Sequence, residues 1–305
     1  MRITNPQITA LMHGSMNSSS AKLGKLMQQM ATGQRMLLPS DDPIASVRVL
    51  RIQREEASLE QYRGNIANLA ASFSKQEANL KSISDAMLSV RDLLLWAANS
   101  GVNSEVELGA IASELEVLEK TLINAANVRD EEGRYLFSGT QSDRPAIVFD
   151  EDSQSYVLGG NAKHRQAAVA NGVLLEENVT AEQAFGPTLA GFNDLRQVVA
   201  LLKSPDLNAA DAAVNERIAA ALESLDRTHD AVLGAMTELG GRQNTLTLLN
   251  NSNEGLSLVN QKIEQELSTL DYAGASIDFS NYLLALQSTQ KTYLKLNGLS
   301  LFGQL

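Results

Sequence analysis

The chain has 305 residues and a formal net charge of −11, and 44% of its residues are hydrophobic although only 5% are aromatic. This acidic balance argues against binding to nucleic-acid phosphates or to anionic lipid surfaces. The absence of cysteine excludes disulfides, thiolate nucleophiles and cysteine-ligated metals. The sequence contains no apolar run of about 18 residues, so no membrane-spanning helix is predicted.

The amino-terminal 40 residues contain four basic side chains and no acid. A 3,4 series runs through them, with serine and glycine at two of its seven positions: Met16, Ser19, Leu23, Leu26, Met30, Gly33 and Leu37. Such a helix is marginal in water without a partner for its apolar face. We therefore expect this segment to gain order only against the carboxyl-terminal helix and neighbouring copies of the chain, so that assembly is coupled to folding.

A helix-start motif follows at Ser40, Asp41, Asp42 and Pro43, with an Asx N-cap and a proline suited to the first turn. The helix after it should end near Gly101. Its spacing is 3,4 throughout, and eleven of twelve positions are apolar: Leu59, Tyr62, Ile66, Leu69, Phe73, Gln76, Leu80, Ile83, Met87, Val90, Leu94 and Ala97. This part alone would span about 60 Å.

A second helix should begin at a capping box formed by Ser104 and Glu107 and pair antiparallel with the first. Its apolar series is Leu108, Ile111, Leu115, Leu118, Leu122 and Ala125.

The periodicity changes to two between residues 134 and 186, which predicts short strands at residues 146–149, 156–158, 167–169 and 173–175. The polar stretch 150–155 and the pair Asn171-Gly172 are turn signals, so two hairpins are expected. A shorter helix should then cover residues 189–202.

The last third of the chain predicts another very long helix. Its apolar series is Val214, Ile218, Ala221, Leu225, Thr228, Val232, Ala235, Leu239, Leu246, Leu249, Leu256, Ile263, Leu267 and Leu270. Glycines at 240, 241 and 255 predict bends rather than a boundary. The carboxyl end continues the seam with Ile277, Leu284, Leu294 and Leu301, and residues 279–305 again lack acids.

The predicted fold is mainly α: a long antiparallel coiled-coil helical rod with a small inserted β-rich domain. Three domains are expected. Residues 1–42 with 271–305 would form a terminal helical assembly domain, residues 43–133 with 187–270 a long-helix bundle, and residues 134–186 the β insert.

No chemical motif predicts catalysis. His13, His164 and His229 lie in different elements without the close spacing of a metal site, and no phosphate-binding glycine loop or nucleophile elbow is present. The paired acids at 41–42 and 131–132 are explained by capping and solvation. We therefore expect a protein that is not an enzyme and that has no catalytic, cofactor-binding or metal-binding residues.

Four motifs occur in order along the chain: MATGQR at residues 30–35 followed by PSDDP at 39–43, GRYLFSG at 133–139, ELGGRQN at 238–244 and GLSLF at 298–302. Together they resemble the flagellins and flagellar hook-associated proteins of bacteria. The last motif is similar to that of the family's hook–filament junction proteins rather than to that of flagellin, and the total length agrees with them.

The resemblance implies an extracellular component of the flagellum that is exported unfolded by the type III apparatus. Members form a homo-oligomeric ring between hook-associated protein 1 and the flagellin filament, with no nucleic acid and no membrane insertion. The expected assembly interface comprises Leu23, Leu26, Met30, Ile277, Leu284, Leu294 and Leu301. A cytosolic export chaperone is expected to cover Leu284, Leu294, Leu301 and Phe302.

The first thirty residues lack the apolar core of a secretory signal, so export without a cleavable signal peptide is expected. Two alternatives stay open. The first is flagellin, the filament subunit itself. The second is a cytosolic coiled-coil signalling or scaffold protein, for which charged residues would be expected along the terminal seams.

Overall fold

The computed structural model describes residues 5–99, 105–204 and 212–302, with side chains described between residues 7 and 295 of those ranges. Helices dominate and two small hairpins interrupt them, which confirms the predicted mainly α fold with a β insert. The elements in chain order are α1 Asn5–Thr32, α2 Pro43–Ala98, α3 Glu105–Ala126, β1 Ile147–Asp150, β2 Ser155–Leu158, β3 Gln166–Ala170, β4 Val173–Glu176, α4 Ala181–Phe185, α5 Ala190–Leu202, α6 Ala212–Ser268 and α7 Tyr272–Phe302. The predicted helix end at Gly101 and the cap at Ser104 lie outside the described residues.

The chain divides into two compact units. Unit 1 comprises residues 1–58 and 255–305, and unit 2 comprises residues 59–254. The predicted domain boundaries at 42/43 and 270/271 would leave the first turns of α2 and the last turns of α6 in the helical bundle, whereas here they belong to unit 1.

Unit 2 is built around the 3,4 seam of α2. Eleven of its twelve predicted positions are buried, and the twelfth, Tyr62, is half-buried. Helices α3, α5 and α6 contribute to the same core, with α3 packed most extensively against α5. This is how a long amphipathic helix gains stability, because burial of its apolar face contributes more than helix propensity does.

Gln76 departs from the apolar seam of α2 because it holds the β insert. Its Oε1 accepts a hydrogen bond from Val179 N at 2.8 Å, and its Nε2 donates to Glu177 O at 3.0 Å. Because the side chain is 1% exposed, it provides the hydrogen-bond partners that water cannot provide to these backbone groups.

The two predicted hairpins are present as separate two-stranded antiparallel sheets, β1–β2 and β3–β4. The first packs onto α3 and α5 through a buried polar cluster. Tyr156 Oη donates to Glu119 Oε1 at 2.7 Å, and the Arg196 guanidinium lies 4.0 Å from the centre of the Phe149 ring. Burial, followed by the hydrogen bond to Glu119, raises the pKa of Tyr156 to about 12.

The GRYLFSG segment forms a turn within the insert, and the ELGGRQN segment of α6 binds the insert. Gly139 has φ +68, and a Cβ there would lie 2.1 Å from Asn161 O, so only glycine fits this turn. Arg242 is buried, donates to Glu176 and Glu238 carboxylates at 2.6 Å, and reaches the carbonyls of Glu176 and Asn178 at 3.3 Å. The arginine therefore ties the end of β4 to α6.

Helix α6 runs without interruption through all three glycines, so the helix does not end at any of them, although the division between the two units falls at residues 254/255. Its predicted seam is wrong at one place. Leu256 is exposed, and the neighbouring Ser257 is buried in its stead, where its hydroxyl donates to Glu56 of α2. Asn260 is also buried. The inward face of α6 is therefore polar within unit 1. The apolar periodicity in the sequence indicated the adjacent Leu256 instead.

Candidate assembly interface

In unit 1, α1 and α7 pack against each other along most of their length. Leu26, Leu270 and Ala275 form the buried cluster, with Met30, Phe279 and Tyr282 packed around it. Toward the other end of the pair, the His13 and Tyr293 rings meet edge to face at 4.9 Å, and His13 Nε2 lies 3.2 Å from Tyr293 Oη. The α1 side of this seam follows the predicted series, with Leu23 half-buried and Leu26 buried.

The α7 side of the seam differs from the prediction. The residues turned inward repeat with 3,4 spacing and are Ala275, Phe279, Tyr282, Leu286, Thr289 and Tyr293. Ile277, Leu284 and Leu294 were predicted to continue the seam, yet they are 63%, 64% and 69% exposed. The side chains of Leu301 and Phe302 lie outside the described part of the chain.

The error has a geometric cause. Ile277 lies two positions after Ala275, and Leu284 two positions after Tyr282, which corresponds to a rotation of about 200° around the helix. Ile277 and Leu284 therefore lie on the side of α7 nearly opposite to the stripe that packs on α1. Leu294, one position after Tyr293, lies about 100° from that stripe. The 3,4 spacing of the inner stripe was available in the sequence, but the predicted series followed the leucines and Ile277 instead.

Unit 1 has many large exposed apolar side chains and few buried ones. Among the described residues its buried cluster has three members, whereas the corresponding cluster of unit 2 has thirty-nine. Its large exposed apolar side chains are Leu11, Met27, Leu38, Ile44, Val47, Leu50, Leu256, Leu258, Val259, Tyr272, Ile277, Leu283, Leu284 and Leu294. A pair of helices can bury one face of each helix, so the outer faces stay in contact with solvent. Contiguous exposed apolar patches are typical of interaction sites, so unit 1 is the candidate interface.

The turn between α1 and α2 is organised by two carboxylates. Asp41 accepts hydrogen bonds from Lys25 Nζ at 2.6 Å and from the amides of Leu37 and Leu38 at 3.0 and 3.2 Å. The Lys25 hydrogen bond, then the two amides, hold the pKa of Asp41 below its ordinary value. Asp42 Oδ1 accepts from Ala45 N at 3.0 Å, which is the geometry of an N-cap before Pro43.

Unit 1 joins this turn to the link between α6 and α7. Gly33 adopts φ +71 at the end of α1, its carbonyl accepts from Leu270 N at 2.9 Å, and Arg35 N donates to Ser268 O at 2.7 Å. Tyr272 Oη donates to Met30 O at 3.0 Å. No local pattern indicates that Tyr272 and the backbone of Leu270 hold this junction, because the pairing joins residues more than 200 positions apart.

The histidines and acidic residues of the described ranges do not form a metal site. In residues 5–99, 105–204 and 212–302, no group of three or more histidine, cysteine or acidic side chains could hold a metal ion. His229 lies 2.8 Å from Ser84 Oγ, and His164 Nδ1 lies 2.9 Å from Asn178 O. Within those same ranges, no helix is both long and apolar enough to cross a membrane.

Residues 3–142 match the family model of the bacterial flagellin N-terminal helical region. A solved structure described as a flagellar hook-associated protein of Vibrio parahaemolyticus is 34% identical, has a TM-score of 0.68, and is covered completely by 75% of this chain. The chain belongs to the flagellar hook-associated protein family. Flagellar hook-associated protein 3 of Escherichia coli K12 is 27% identical over 93% of each chain, and that of Salmonella typhimurium LT2 is 26% identical over 99% of each chain.

The hook-associated protein fold is also found at lower identity. The flagellar junction protein FlgL of Legionella pneumophila is 15% identical and has a TM-score of 0.57, with 73% of this chain covering all of that one. The likeness to the two curated hook-associated proteins 3 over nearly the whole chain makes this chain a structural component of the flagellum of the hook-associated protein 3 type. Its relatives are structural flagellar proteins rather than enzymes.

Proposed function

We propose that the protein is the junction subunit that links the hook, through hook-associated protein 1, to the flagellin filament. Copies would form a homo-oligomeric ring in which the outer faces of unit 1 meet neighbouring subunits. The observation that carries this proposal is the uncovered apolar surface of unit 1, because a helix pair with a three-residue buried cluster needs further partners to bury its outer faces.

The predicted site residues acquire distinct roles in this proposal. Leu23, Leu26 and Met30 would hold α1 on α7, and Ile277, Leu284 and Leu294 would meet the next subunit. The shortage of acids at both chain ends supports a crowded assembly, since carboxylates repeated by every copy would repel one another. Residues 1–42 with 271–305 would form the assembly domain of this arrangement.

Export is part of the same proposal. The subunit would leave the cell unfolded and would fold outside as part of the flagellum. Before export, a cytosolic chaperone would cover α7 at Leu284, Leu294, Leu301 and Phe302. The exposure of Leu284 and Leu294 supports this role, because neither side chain is buried in the folded subunit.

The proposal is tested by complementing a strain that lacks the gene. The wild-type chain should restore filaments, whereas Ile277→Asp combined with Leu284→Asp should yield hooks without filaments and flagellin monomers in the medium. The purified double variant should keep the wild-type melting temperature, because both positions are exposed. Leu174→Asp, at an exposed apolar position of β4, is the matched control and should restore filaments.

Flagellin is the second candidate function, favoured by the family-model match and by 28% identity to polar flagellin F of Vibrio parahaemolyticus over 46% of this chain. A filament subunit would polymerise without limit. Long filaments formed by the purified protein alone would support flagellin, and normal filaments in the deletion strain would overturn the junction role.

A further inference from the structure

Methionine is distributed very unevenly along the chain. Six of the eight methionines occur in the first 36 residues, at positions 1, 12, 16, 27, 30 and 36. The remaining two, Met87 and Met236, lie in unit 2. Because the chain has no cysteine, these thioethers are its only sulfur atoms.

The methionines of α1 lie where oxidants can reach them. Met27 is 56% exposed, and Met12, Met16 and Met30 are half-buried in the seam with α7. By contrast, Met87 is 1% exposed within the core of unit 2. The chain therefore carries accessible thioethers in unit 1, and the buried Met87 of unit 2 provides an internal control for oxidation.

Met30 is the member with the greatest structural effect. It packs against the buried cluster of Leu26, Leu270 and Ala275, as Phe279 and Tyr282 also do. A sulfoxide at this position would put a strongly polar oxygen into the small apolar cluster that holds α1 against α7. An unsatisfied polar atom at such a site destabilises the packing around it.

We propose that the methionines of α1, and Met30 above all, are a sulfoxidation site through which peroxide-class oxidants break the pairing of α1 with α7. The thioether sulfur attacks one oxygen of hydrogen peroxide, an S–O bond forms and the O–O bond breaks. The departing hydroxide takes the proton of the transferred oxygen, so the products are methionine sulfoxide and water. Sulfur loses two electrons and the peroxide gains two.

The experiment treats the intact purified subunit with hydrogen peroxide and maps sulfoxide at each methionine by peptide mass spectrometry. Amide hydrogen exchange is then measured in the same samples. We expect Met27 and Met30 to be oxidised while Met87 stays reduced. Exchange in α1 and α7 should accelerate by roughly tenfold or more, with the rate in unit 2 unchanged.

Three variants make the assignment specific. Met30→Leu keeps an apolar side chain that peroxide cannot oxidise, so its α1–α7 pairing should survive the treatment. Met27→Leu should lose the pairing as the wild type does, because its side chain faces solvent. Met30→Gln should show fast exchange without any oxidant. Oxidised Met30 with wild-type exchange, or equal loss of pairing in peroxide-treated Met30→Leu, would overturn the proposal.

Discussion

Replacing Gln76 by leucine separates what the sequence pattern predicts from what the structure predicts. The substitution completes the apolar 3,4 series of α2, so the pattern alone predicts a more stable helix bundle. In the structure it removes the partners of Val179 N and Glu177 O, which Gln76 binds at 2.8 and 3.0 Å. Val179 is fully buried, so no water can replace the lost acceptor.

The magnitude follows from two opposing contributions. Each buried backbone group left without a partner costs about 1–3 kcal/mol, and burying leucine instead of an amide returns about 1–2 kcal/mol. The middle of these ranges gives a fall in the free energy of unfolding of about 2–3 kcal/mol. For a unit of this size the midpoint of thermal unfolding should decrease by about 5–10 °C.

The assay is urea and thermal unfolding of Gln76→Leu beside the wild type and Gln61→Leu. Gln61 is exposed on the same helix, so the matched control makes the same chemical change without touching the insert. We expect Gln61→Leu to stay within about 0.5 kcal/mol of the wild type. If Gln76→Leu is as stable as the wild type or more stable, the role given to Gln76 is wrong.

Three further predictions concern the turns and the insert. Lys25 and two amides lower the pKa of folded Asp41, so the contribution of this carboxylate to stability should be complete above the ordinary carboxyl pKa and lost as pH falls through the lowered value. Hydrogen exchange of the Leu37 and Leu38 amides, measured as a function of pH, tests this expectation. Asp41→Asn should abolish the pH dependence. Gly139→Ala should destabilise unit 2 by about 1–3 kcal/mol in urea unfolding, because φ is positive and the new Cβ would clash with Asn161 O. Gly64→Ala is the control: a Cβ at this position of α2 meets open space, so the substitution should stabilise unit 2 by about 0.5–1 kcal/mol. Arg242→Met should lower the free energy of unfolding by about 2 kcal/mol, which is less than the loss of a fully buried ion pair would cause, because Glu176 and Glu238 stay partly hydrated. Unchanged stability would show that neither ion pair contributes.

The candidate interface shows how far periodicity can be trusted. For α1 the strongest apolar stripe is also the one that packs on α7, so Leu23, Leu26 and Met30 could be selected from sequence. On α7 apolar residues occur on more than one side of the helix, and the predicted Ile277 and Leu284 are on an exposed side. Hydrophobicity alone cannot distinguish apolar residues that pack within the chain from apolar residues that stay exposed on its surface.

The sequence by itself determined the long helices, the two hairpins and the family resemblance, because 3,4 and 2 periodicities and local motifs are properties of neighbouring residues. Tertiary structure alone decided that Gln76 and Arg242 hold the insert, that Ser257 rather than Leu256 faces α2, and which side of α7 meets α1. Each of these depends on partners far away along the chain, whose positions are set by the packing of whole helices rather than by any local pattern.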